Sequence, residues 1–586
     1  MRTSSRLSAQ QPLQTIIRSA LEQLADEQVV ERLWAKDHTL WKPDPTEIDN
    51  RLGWLTVVEQ MREQVGALRT FAQSVKDSGF RDVVLLGMGG SSLGPEVLRR
   101  ALGSTRGFPR LWVLDSTVPQ VIREVTDAVR PAQTLFIVAS KSGGTIEVLS
   151  LFAYFWELVA RTKGARGGTQ FIAITDPGTS LEKLAGERGF WQTFANPPDI
   201  GGRYSVLSYF GLVPAALMGL DLAGLLDRGT AMAEACRCHA PLDRNPGAYL
   251  GAVMGALGRQ GRDKVSLLVS PGISGFGLWA EQLLAESTGK EGKGLVPVAD
   301  EPLSRPAVYG NDRLFVYLRL KGDRNDRLDR HVMALERTRQ PVVRLELRDR
   351  YDLAAEFFRW EFATAVAGYF LGIHPFDQPN VQESKDKTKR VLQQVEATGR
   401  LPRQREASVA AAADTILRRT APGRYVAVLA YVPPSRRVEA AIQSLRKTIL
   451  ATAQVATTAG YGPRYLHSTG QLHKGGPNTG LFLQLIDEMT PDLAIPGKPY
   501  TFGTLARAQA LGDLQSLLAH GRTAVSVNLA RRPLATIKAL AQAFRALTVK
   551  RRRAQPGGPR TTTGTHSSSQ GGLRQKPQKT TAAKRP

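Results

Sequence analysis

Cysteine is scarce in this sequence, since its 586 residues contain only Cys236 and Cys238. Two cysteines with one residue between them are too close for an ordinary disulfide, and there is no second pair to complete a structural zinc site. His239 follows them and keeps metal binding open as an alternative, but two reduced thiols near a helix end are the simpler interpretation. We therefore expect neither a disulfide framework nor a bound metal.

Long apolar runs are also missing. No run reaches the roughly 18 residues that a membrane-spanning helix needs, and the first thirty residues lack the charged-then-apolar pattern of a signal peptide. The residues are 42% hydrophobic, with Gly and Pro spread throughout, and a chain of this length has room for roughly three or four domains. We expect a cytoplasmic protein that does not contact a membrane.

Acidic residues are too few to balance the basic ones, with 53 Asp and Glu against 78 Lys and Arg and a net charge of +25. Ten of the basic residues, and no acidic residue, lie from Lys550 to Pro586, which leaves +15 for the rest of the chain. This tail has almost no residue that can build a core, so we predict that it is disordered. Nucleic-acid binding through counterion release is one interpretation of it, but we favour a solubilising or vestigial extension.

Short apolar runs alternate with segments long enough to form helices. Buried parallel strands joined by crossover helices produce this rhythm. The predicted strands are Val83–Leu86, Leu111–Leu114, Leu135–Ala139 and Phe171–Ile174, then Val265–Val269, Leu314–Leu318 and Val342–Leu345, and finally Tyr425–Ala430, Leu481–Ile486 and Ala524–Leu529.

This pattern predicts an α/β protein with two doubly wound domains, each with a parallel sheet, and a smaller C-terminal α/β unit. Apolar residues at helical spacing between Leu13 and Leu24 predict amphipathic helices ahead of the first sheet, and Leu353–Leu371 is a predicted apolar helix. The expected segments are an N-terminal helical segment at 1–60, domains at 61–235 and 236–398, the additional α/β region at 399–548 and the tail at 549–586.

Two loops after predicted strands carry small and hydroxylated residues. The glycine-rich stretch Leu86–Gly94 leaves a strand and enters a helix, and by itself it is as typical of close packing as of ligand binding. The next loop, Ser140–Glu147, supplies three hydroxyl groups and unobstructed amides at a helix N-terminus. Hydroxyl donors, free N–H groups and the positive end of the helix dipole suit a phosphate dianion, although a simple helix cap is the alternative.

Three further motifs follow in the order Gly201–Ser205 (GGRYS), Ala285–Lys290 (AESTGK) and Phe376–Lys385 (FDQPNVQESK). With the two loops, their order resembles that of phosphoglucose isomerases, and especially the isomerase half of transaldolase-phosphoglucose isomerase fusions. The resemblance covers about residues 50 to 390 as paired sugar-isomerase domains, and extends less specifically to about 545.

The resemblance implies an aldose-ketose isomerase that interconverts glucose 6-phosphate and fructose 6-phosphate without metal or organic cofactor. Glu286 would take the C2 proton of the open-chain sugar and return it to C1, which one carboxylate can do because the two carbons are adjacent in a cis-enediolate. Arg203 would stabilise the developing charge, and Lys385 would assist ring opening. The substrate-binding residues implied are Gly90, Ser91, Ser140, Lys141, Ser142, Thr145, Glu147 and Gln378.

The sequence departs from the family at its ring-opening histidine, which in oligomers often reaches in from a neighbouring subunit. Residues 298–315, where it is expected, contain no histidine. The stretch Leu466–Gln471 (LHSTGQ) resembles the histidine segment of shorter bacterial isomerases. We therefore predict that His467 supplies this group within the same chain, with His473 as a competitor, whereas His374 more simply orders its own loop.

Other functions remain open from the sequence. The same carboxylate base would serve a dual phosphoglucose and phosphomannose isomerase or an amino-sugar isomerase. A non-catalytic sugar-phosphate sensor is a third alternative, but it predicts loss of catalytic groups, whereas Glu286, Arg203 and Lys385 are all present. A homodimer is compatible with the sequence, which gives no subunit number.

Overall fold

The computed structural model describes residues 6–237 and 241–554. Cys238, His239 and the part of the predicted disordered tail from 555 onward lie outside the described residues. Cys236 is a buried free thiol, and its burial raises its pKa to about 12. The thiol is therefore protonated at neutral pH.

The described part of the N-terminal segment begins with a short strand that the helical prediction did not include. This strand, β1 (Arg6–Ser8), pairs antiparallel with a strand of the second domain more than 300 residues away, so no local pattern marks it. The helices α1 (Gln11–Asp26) and α2 (Val29–Trp34) follow, and then short 3₁₀ turns up to Leu55.

The first domain is built on a five-stranded parallel sheet with the order β3-β2-β4-β5-β6. Strands β2 and β4 are buried along their whole length, as expected for a sheet covered on both faces. Its strands are β2 (Asp82–Gly87), β3 (Arg110–Leu114), β4 (Thr134–Ala139), β5 (Phe171–Thr175) and β6 (Gln192–Ala195). The helices in this part of the chain are α3 (Val57–Asp77), α4 (Leu93–Leu102), α5 (Pro119–Ala128), α6 (Ile146–Lys163), α7 (Ser180–Glu187), α8 (Tyr209–Leu217) and α9 (Leu222–Ala235).

The second domain repeats the arrangement in a sheet ordered β1-β10-β9-β7-β8, in which only the edge strand β1 is antiparallel. The predicted apolar helix is confirmed as α13 (Leu353–Leu371), which packs along α10. The strands are β7 (Lys264–Val269), β8 (Val296–Val298), β9 (Arg313–Leu320) and β10 (Val342–Leu347), and the other helices are α10 (Pro246–Arg259), α11 (Phe276–Thr288), α12 (Asp326–Arg337) and α14 (Pro379–Thr398).

The third unit has a four-stranded parallel sheet in the order β12-β11-β13-β14. Its strands are β11 (Tyr425–Tyr431), β12 (Ala456–Tyr461), β13 (Gly480–Ile486) and β14 (Thr523–Asn528), and its helices are α15 (Val409–Arg419), α16 (Arg436–Ala453), α17 (Gly470–Gly475), α18 (Phe502–Ala519) and α19 (Pro533–Ala554). The predicted fold class, two doubly wound domains and a smaller α/β unit, is confirmed.

Four strands escaped the sequence-based prediction, and each is the last strand at one edge of its sheet: β1, β6, β8 and β12. Edge strands are partly exposed or short, so their apolar runs are weak; β6, for example, has a single buried residue. The predicted start of the disordered tail was also wrong, because α19 continues to Ala554. Lys and Arg are good helix formers, and Arg551 lies 3.7 Å from Asp414 of α15.

Shared apolar clusters hold the third unit against both domains. One cluster joins residues of the first sheet and α6 to α14 and α18, with Val391, Leu392, Phe502 and Leu505 among its members. Another joins Ala285 of α11 to the strands of the third sheet. This packing fixes the loop after β12 beside the first two domains. Within the described residues, no helix is long and apolar enough to cross a membrane.

Candidate active site

The two domains and the third unit enclose a cavity of about 580 Å³ at the carboxyl ends of β2 and β4. Ligands of doubly wound sheets bind at this edge. Ten of the twelve predicted site residues line the cavity: Gly90, Ser91, Lys141, Ser142, Thr145, Arg203, Glu286, Gln378, Lys385 and His467. Ser140 and Glu147 lie just beneath its surface, with 2% and 3% of their surface exposed.

The loop between β4 and α6 presents hydroxyl groups to one end of the cavity. Thr145 precedes the first residue of α6, and its Oγ1 lies 2.9 Å from Oγ of Ser140, so the buried serine holds the threonine in place. Gly143 has a φ of +69°, and a Cβ atom there would come within 2.8 Å of Thr179. Glycine is therefore required for this loop to pack against the next one, and this leaves Ser142, Thr145 and the free N–H groups of α6 facing the cavity.

Lys141 lines the cavity near these hydroxyl groups, but its ammonium group is paired with a carboxylate. Its Nζ contacts the carboxylate of Asp176 and donates a 3.0 Å hydrogen bond to the carbonyl of Pro198. Desolvation lowers the pKa of Lys141 and raises the pKa of Asp176. Arg51, from the N-terminal segment, also lines the cavity and adds a guanidinium group that the sequence-based analysis missed.

Glu286 lies on the cavity-facing side of α11, and only 5% of its surface is exposed. Its Oε2 accepts a 2.8 Å hydrogen bond from Nε2 of Gln282, one turn earlier on the same helix. Its Oε1 lies 3.5 Å from Nη1 of Arg203. Gln282 was also missed, although its position four residues before Glu286 places it on the same helix face.

Arg203 is held rigidly by hydrogen bonds on all sides. Nε donates to Oγ of Ser287 at 2.8 Å, Nη1 donates to Oε1 of Gln378 at 2.9 Å, and Nη2 donates to the carbonyls of Pro375 and Asp377 at 2.8 and 2.9 Å. Five N–H groups serve these four bonds, so one N–H on Nη1 remains on the side of Glu286. The guanidinium is therefore placed beside the carboxylate with one donor left for a third group.

Lys290 contacts the 374–378 turn, the same turn whose carbonyls accept hydrogen bonds from Arg203. Nζ of this buried lysine donates a 2.5 Å hydrogen bond to the carbonyl of His374 and lies 2.5 Å from Oδ1 of Asp377. Burial, assisted by the charge of Arg203, lowers the pKa of Lys290 to about 7. His374 accepts a hydrogen bond from the amide of Phe376 through Nδ1, so it orders its own loop as the sequence indicated.

His467 reaches the cavity from the loop after β12 of the same chain. Its Nε2 lies 2.7 Å from Oε1 of Glu147, which also accepts a 2.6 Å hydrogen bond from Nε2 of Gln509. Burial would raise the pKa of Glu147, but the charge and hydrogen bond of His467 outweigh it and lower that pKa. Glu147 thus orients His467 rather than facing the cavity. His473, the competitor, is buried in α17 and lies outside this cavity.

Comparison with known proteins identifies relatives of this chain. The phosphoglucose isomerase family matches residues 50–292. The chain is 32% identical to a glucose-6-phosphate isomerase of Rubrobacter xylanophilus, over 55% of this chain and 85% of the relative. It is 31% identical to a glucose-6-phosphate isomerase of Symbiobacterium thermophilum, over 58% of this chain and 86% of the relative.

Two solved structures share the fold with a TM-score of 0.56. One is a hypothetical protein of Thermus thermophilus, 26% identical, covering 66% of this chain and 99% of the other. The second is a glucose-6-phosphate isomerase of Chlamydia trachomatis, 16% identical, covering 65% of this chain and 86% of the other. Fold and site together define a sugar-isomerase-type α/β protein. The chain belongs to the phosphoglucose isomerase family.

Proposed function

We propose that this protein interconverts glucose 6-phosphate and fructose 6-phosphate, as an aldose-ketose isomerase of glycolysis and gluconeogenesis. The observation that carries the proposal is the pairing of Glu286 with Arg203 at 3.5 Å inside a cavity whose far end presents the hydroxyls of Ser142 and Thr145. Hydroxyls and helix amides suit the 6-phosphate, while the carboxylate and guanidinium suit the reacting carbons and their oxygens.

Proton transfer would run through Glu286 alone. The ionised carboxylate takes the proton from C2 of the open-chain aldose, and the electron pair moves to form the C1–C2 double bond of a cis-enediolate. The electron pair of the C1 carbonyl passes to its oxygen, and the proton of the C2 hydroxyl moves to that oxygen. The protonated carboxyl group then returns its proton to C1, which leaves the carbonyl at C2 of the ketose. Arg203, fixed by its four hydrogen bonds, stabilises the enediolate oxygen more than the neutral sugar, and needs no reorganisation to do so.

Ring opening would use His467 and Lys385. The imidazole is held by Glu147, so it can accept a proton from the anomeric hydroxyl while Lys385 protonates the ring oxygen. Gln378 shares its Oε1 with Arg203, and its amide group is placed for a sugar hydroxyl. Gly90 and Ser91 would approach the sugar through their backbone. Ser140 and Lys141, held by Thr145 and Asp176, would act by positioning the phosphate loop.

The test is fructose 6-phosphate conversion by wild-type protein and Glu286→Gln, with a chelator present. We expect the wild type to retain full activity in chelator and Glu286→Gln to lose at least about 1,000-fold in kcat, within the range for a general base that is also the sole proton carrier. Glu157→Gln, on the exposed side of α6, is the matched control and should behave as wild type. Full activity in Glu286→Gln would refute the base assignment, and loss of wild-type activity in chelator would refute metal independence.

A second test separates ring opening from isomerisation. We expect His467→Asn to slow the turnover of cyclic substrate far more than that of an open-chain analogue. Equal losses on both substrates would contradict a ring-opening role. The cytoplasmic location and a homodimeric state stay predictions that belong to this proposal.

A further inference from the structure

A second cavity, of about 470 Å³, lies on the other side of the loop that carries His467. It opens at the carboxyl ends of β11 and β12 and is closed by α4, α11 and the N-terminus of α16. This edge of a parallel sheet is where doubly wound folds bind ligands. The proposed isomerase mechanism uses none of the side chains that line it.

Neighbouring residues of α11, and of the loop after β12, face different cavities and so separate the two. On α11, Glu281 faces the second cavity, whereas its neighbour Gln282 faces the first. In the loop after β12, Arg464 and Ser468 line the second cavity and His467 lines the first. The second cavity is therefore a separate compartment and not an extension of the sugar-phosphate pocket.

Three carboxyl groups line this cavity, and one of them, Glu439 near the N-terminus of α16, accepts a 2.8 Å hydrogen bond from the hydroxyl of Tyr461. Glu281 has 8% of its surface exposed, and among the described residues neither it nor Asp300 forms an ion pair. The four arginines that line the cavity form their ion pairs and hydrogen bonds with other groups or lie at its rim, and of these the charge of Arg446 still acts on both Glu281 and Asp300. Arg100 forms an ion pair with Glu96, and Arg464 forms one with Asp115. Arg446 donates hydrogen bonds to Thr457 and to the carbonyls of Ala299 and Asp300. Arg436 is exposed at the start of α16.

Hydroxyl groups surround the two acids. Thr458, Tyr461, Ser468 and Thr469 line the same cavity. Carboxyl and hydroxyl groups together recognise polyols, and two carboxyl groups without an ion-pair partner among the described residues suit an ammonium group.

We propose that this cavity binds a small amine-bearing polyol, with its ammonium group between Glu281 and Asp300 and its hydroxyls on the surrounding threonine and tyrosine side chains. The proposal is independent of the isomerase reaction, because the ligand occupies a compartment that the sugar phosphate does not enter. The cavity volume suits a ligand of about hexose size.

Binding of such a ligand releases a proton. Burial, together with the charge of Asp300, raises the pKa of Glu281 to about 8, so its carboxyl group is protonated at pH 7 without ligand. A bound ammonium favours the ionised carboxylate, and the proton leaves to the buffer. A neutral polyol releases no proton, which distinguishes the two ligand types.

The experiment is calorimetric titration of the full chain at pH 7 with 1-amino-1-deoxysorbitol and with sorbitol, which lacks the amine. Each titration is repeated in two buffers of different ionisation enthalpy and in saturating fructose 6-phosphate. We expect the amine to bind one equivalent, to release close to one proton, and to bind at least about tenfold more tightly than sorbitol, as one charge-assisted contact allows. Saturating sugar phosphate should leave this binding in place.

Variants locate the site. Glu281→Gln should weaken amine binding at least about tenfold and abolish proton release, whereas Glu291→Gln, a surface variant in the turn after α11, should match wild type. Asp300→Asn is the second variant in case Glu281→Gln does not fold, since Asn tolerates the φ of +48° found there. No saturable binding, equal binding of sorbitol, competition by fructose 6-phosphate, or unchanged binding in the variants would each overturn the proposal.

Discussion

Replacing Arg203 with lysine keeps the positive charge but removes the geometry on which the site depends. The guanidinium makes four hydrogen bonds to Ser287, Gln378 and the carbonyls of the 374–378 turn, and it is almost completely buried. A lysine ammonium is a point charge on a flexible stem and cannot span these acceptors. If it keeps two of the four bonds, two bonds to a charged group are lost, at about 1.5–3 kcal/mol each, or about 3–6 kcal/mol in all.

Arg203→Lys should also lower kcat, independently of its effect on stability. Loss of one fixed donor at a developing oxyanion costs about 100- to 1,000-fold in kcat. The assay is kcat and KM for fructose 6-phosphate, alongside thermal unfolding of the same preparations. Arg313→Lys is the matched control, because Arg313 is equally buried, hydrogen-bonds Ser266 and Glu301, and lies outside the active-site cavity.

We expect Arg313→Lys to lower the unfolding temperature but to keep kcat near wild type. Arg203→Lys should lower both, with kcat falling in the fully folded fraction. If folded Arg203→Lys retained kcat within about threefold of wild type, far short of the loss expected for a fixed oxyanion donor, the inference that Arg203 acts through a rigidly held guanidinium would be refuted. Equal activity losses in the two variants would attribute the effect to folding alone.

Further predictions concern the groups around this centre. Glu147→Gln removes the charge that His467 contacts at 2.7 Å, and we expect kcat/KM for cyclic substrate to fall about 10- to 100-fold, the equivalent of one charged hydrogen bond; an unchanged value would contradict the orienting role. The pKa of Lys290 is lowered to about 7 in the folded state, so between about pH 10 and pH 7 the unfolded chain binds a proton at this lysine that the folded protein does not. The free energy of unfolding should therefore decrease as the pH falls through this window, and urea midpoints should show the decrease in wild type but not in Lys290→Met. Gly90→Ala places a Cβ 1.9 Å from the carbonyl oxygen of Gly202, so it should lower the unfolding temperature, whereas Gly144→Ala, with open space around its Cβ, should not; equal unfolding temperatures would show that the loops can part without cost.

Much of the site could be predicted, because several of its polar residues lie in loops that directly follow parallel strands. Loops that follow buried parallel strands come together at the carboxyl edge of a sheet, and Ser142 and Thr145 accordingly share the cavity with Gly90 and Ser91. Glu286 and Arg203 were expected there through the order of family motifs. Gln282 could have been found by helical spacing, since it precedes Glu286 by one turn.

Other features depend on contacts between distant segments. Arg51 reaches the cavity that Ser142 and Thr145 line because short turns of the N-terminal segment fold over the first domain, and no local pattern encodes that position. Lys141 has the expected residue type, but its charge is bound by Asp176, a residue that follows the next strand. Strand β1 exists only because the edge of β10 is available to pair with it.

Local periodicity was sufficient to predict the α/β architecture. The proposed phosphate-binding loop was predicted from a short run of residues, and the proposed carboxylate base from the order of family motifs. The contact of His467 with Glu147, 320 positions away, could be seen only in the folded chain, as could the cavity that Glu281 and Asp300 share with no ion-pair partner among the described residues. Such pairings depend on how the third unit packs against the first two domains, and packing is set by the shapes of buried apolar surfaces that no local pattern specifies.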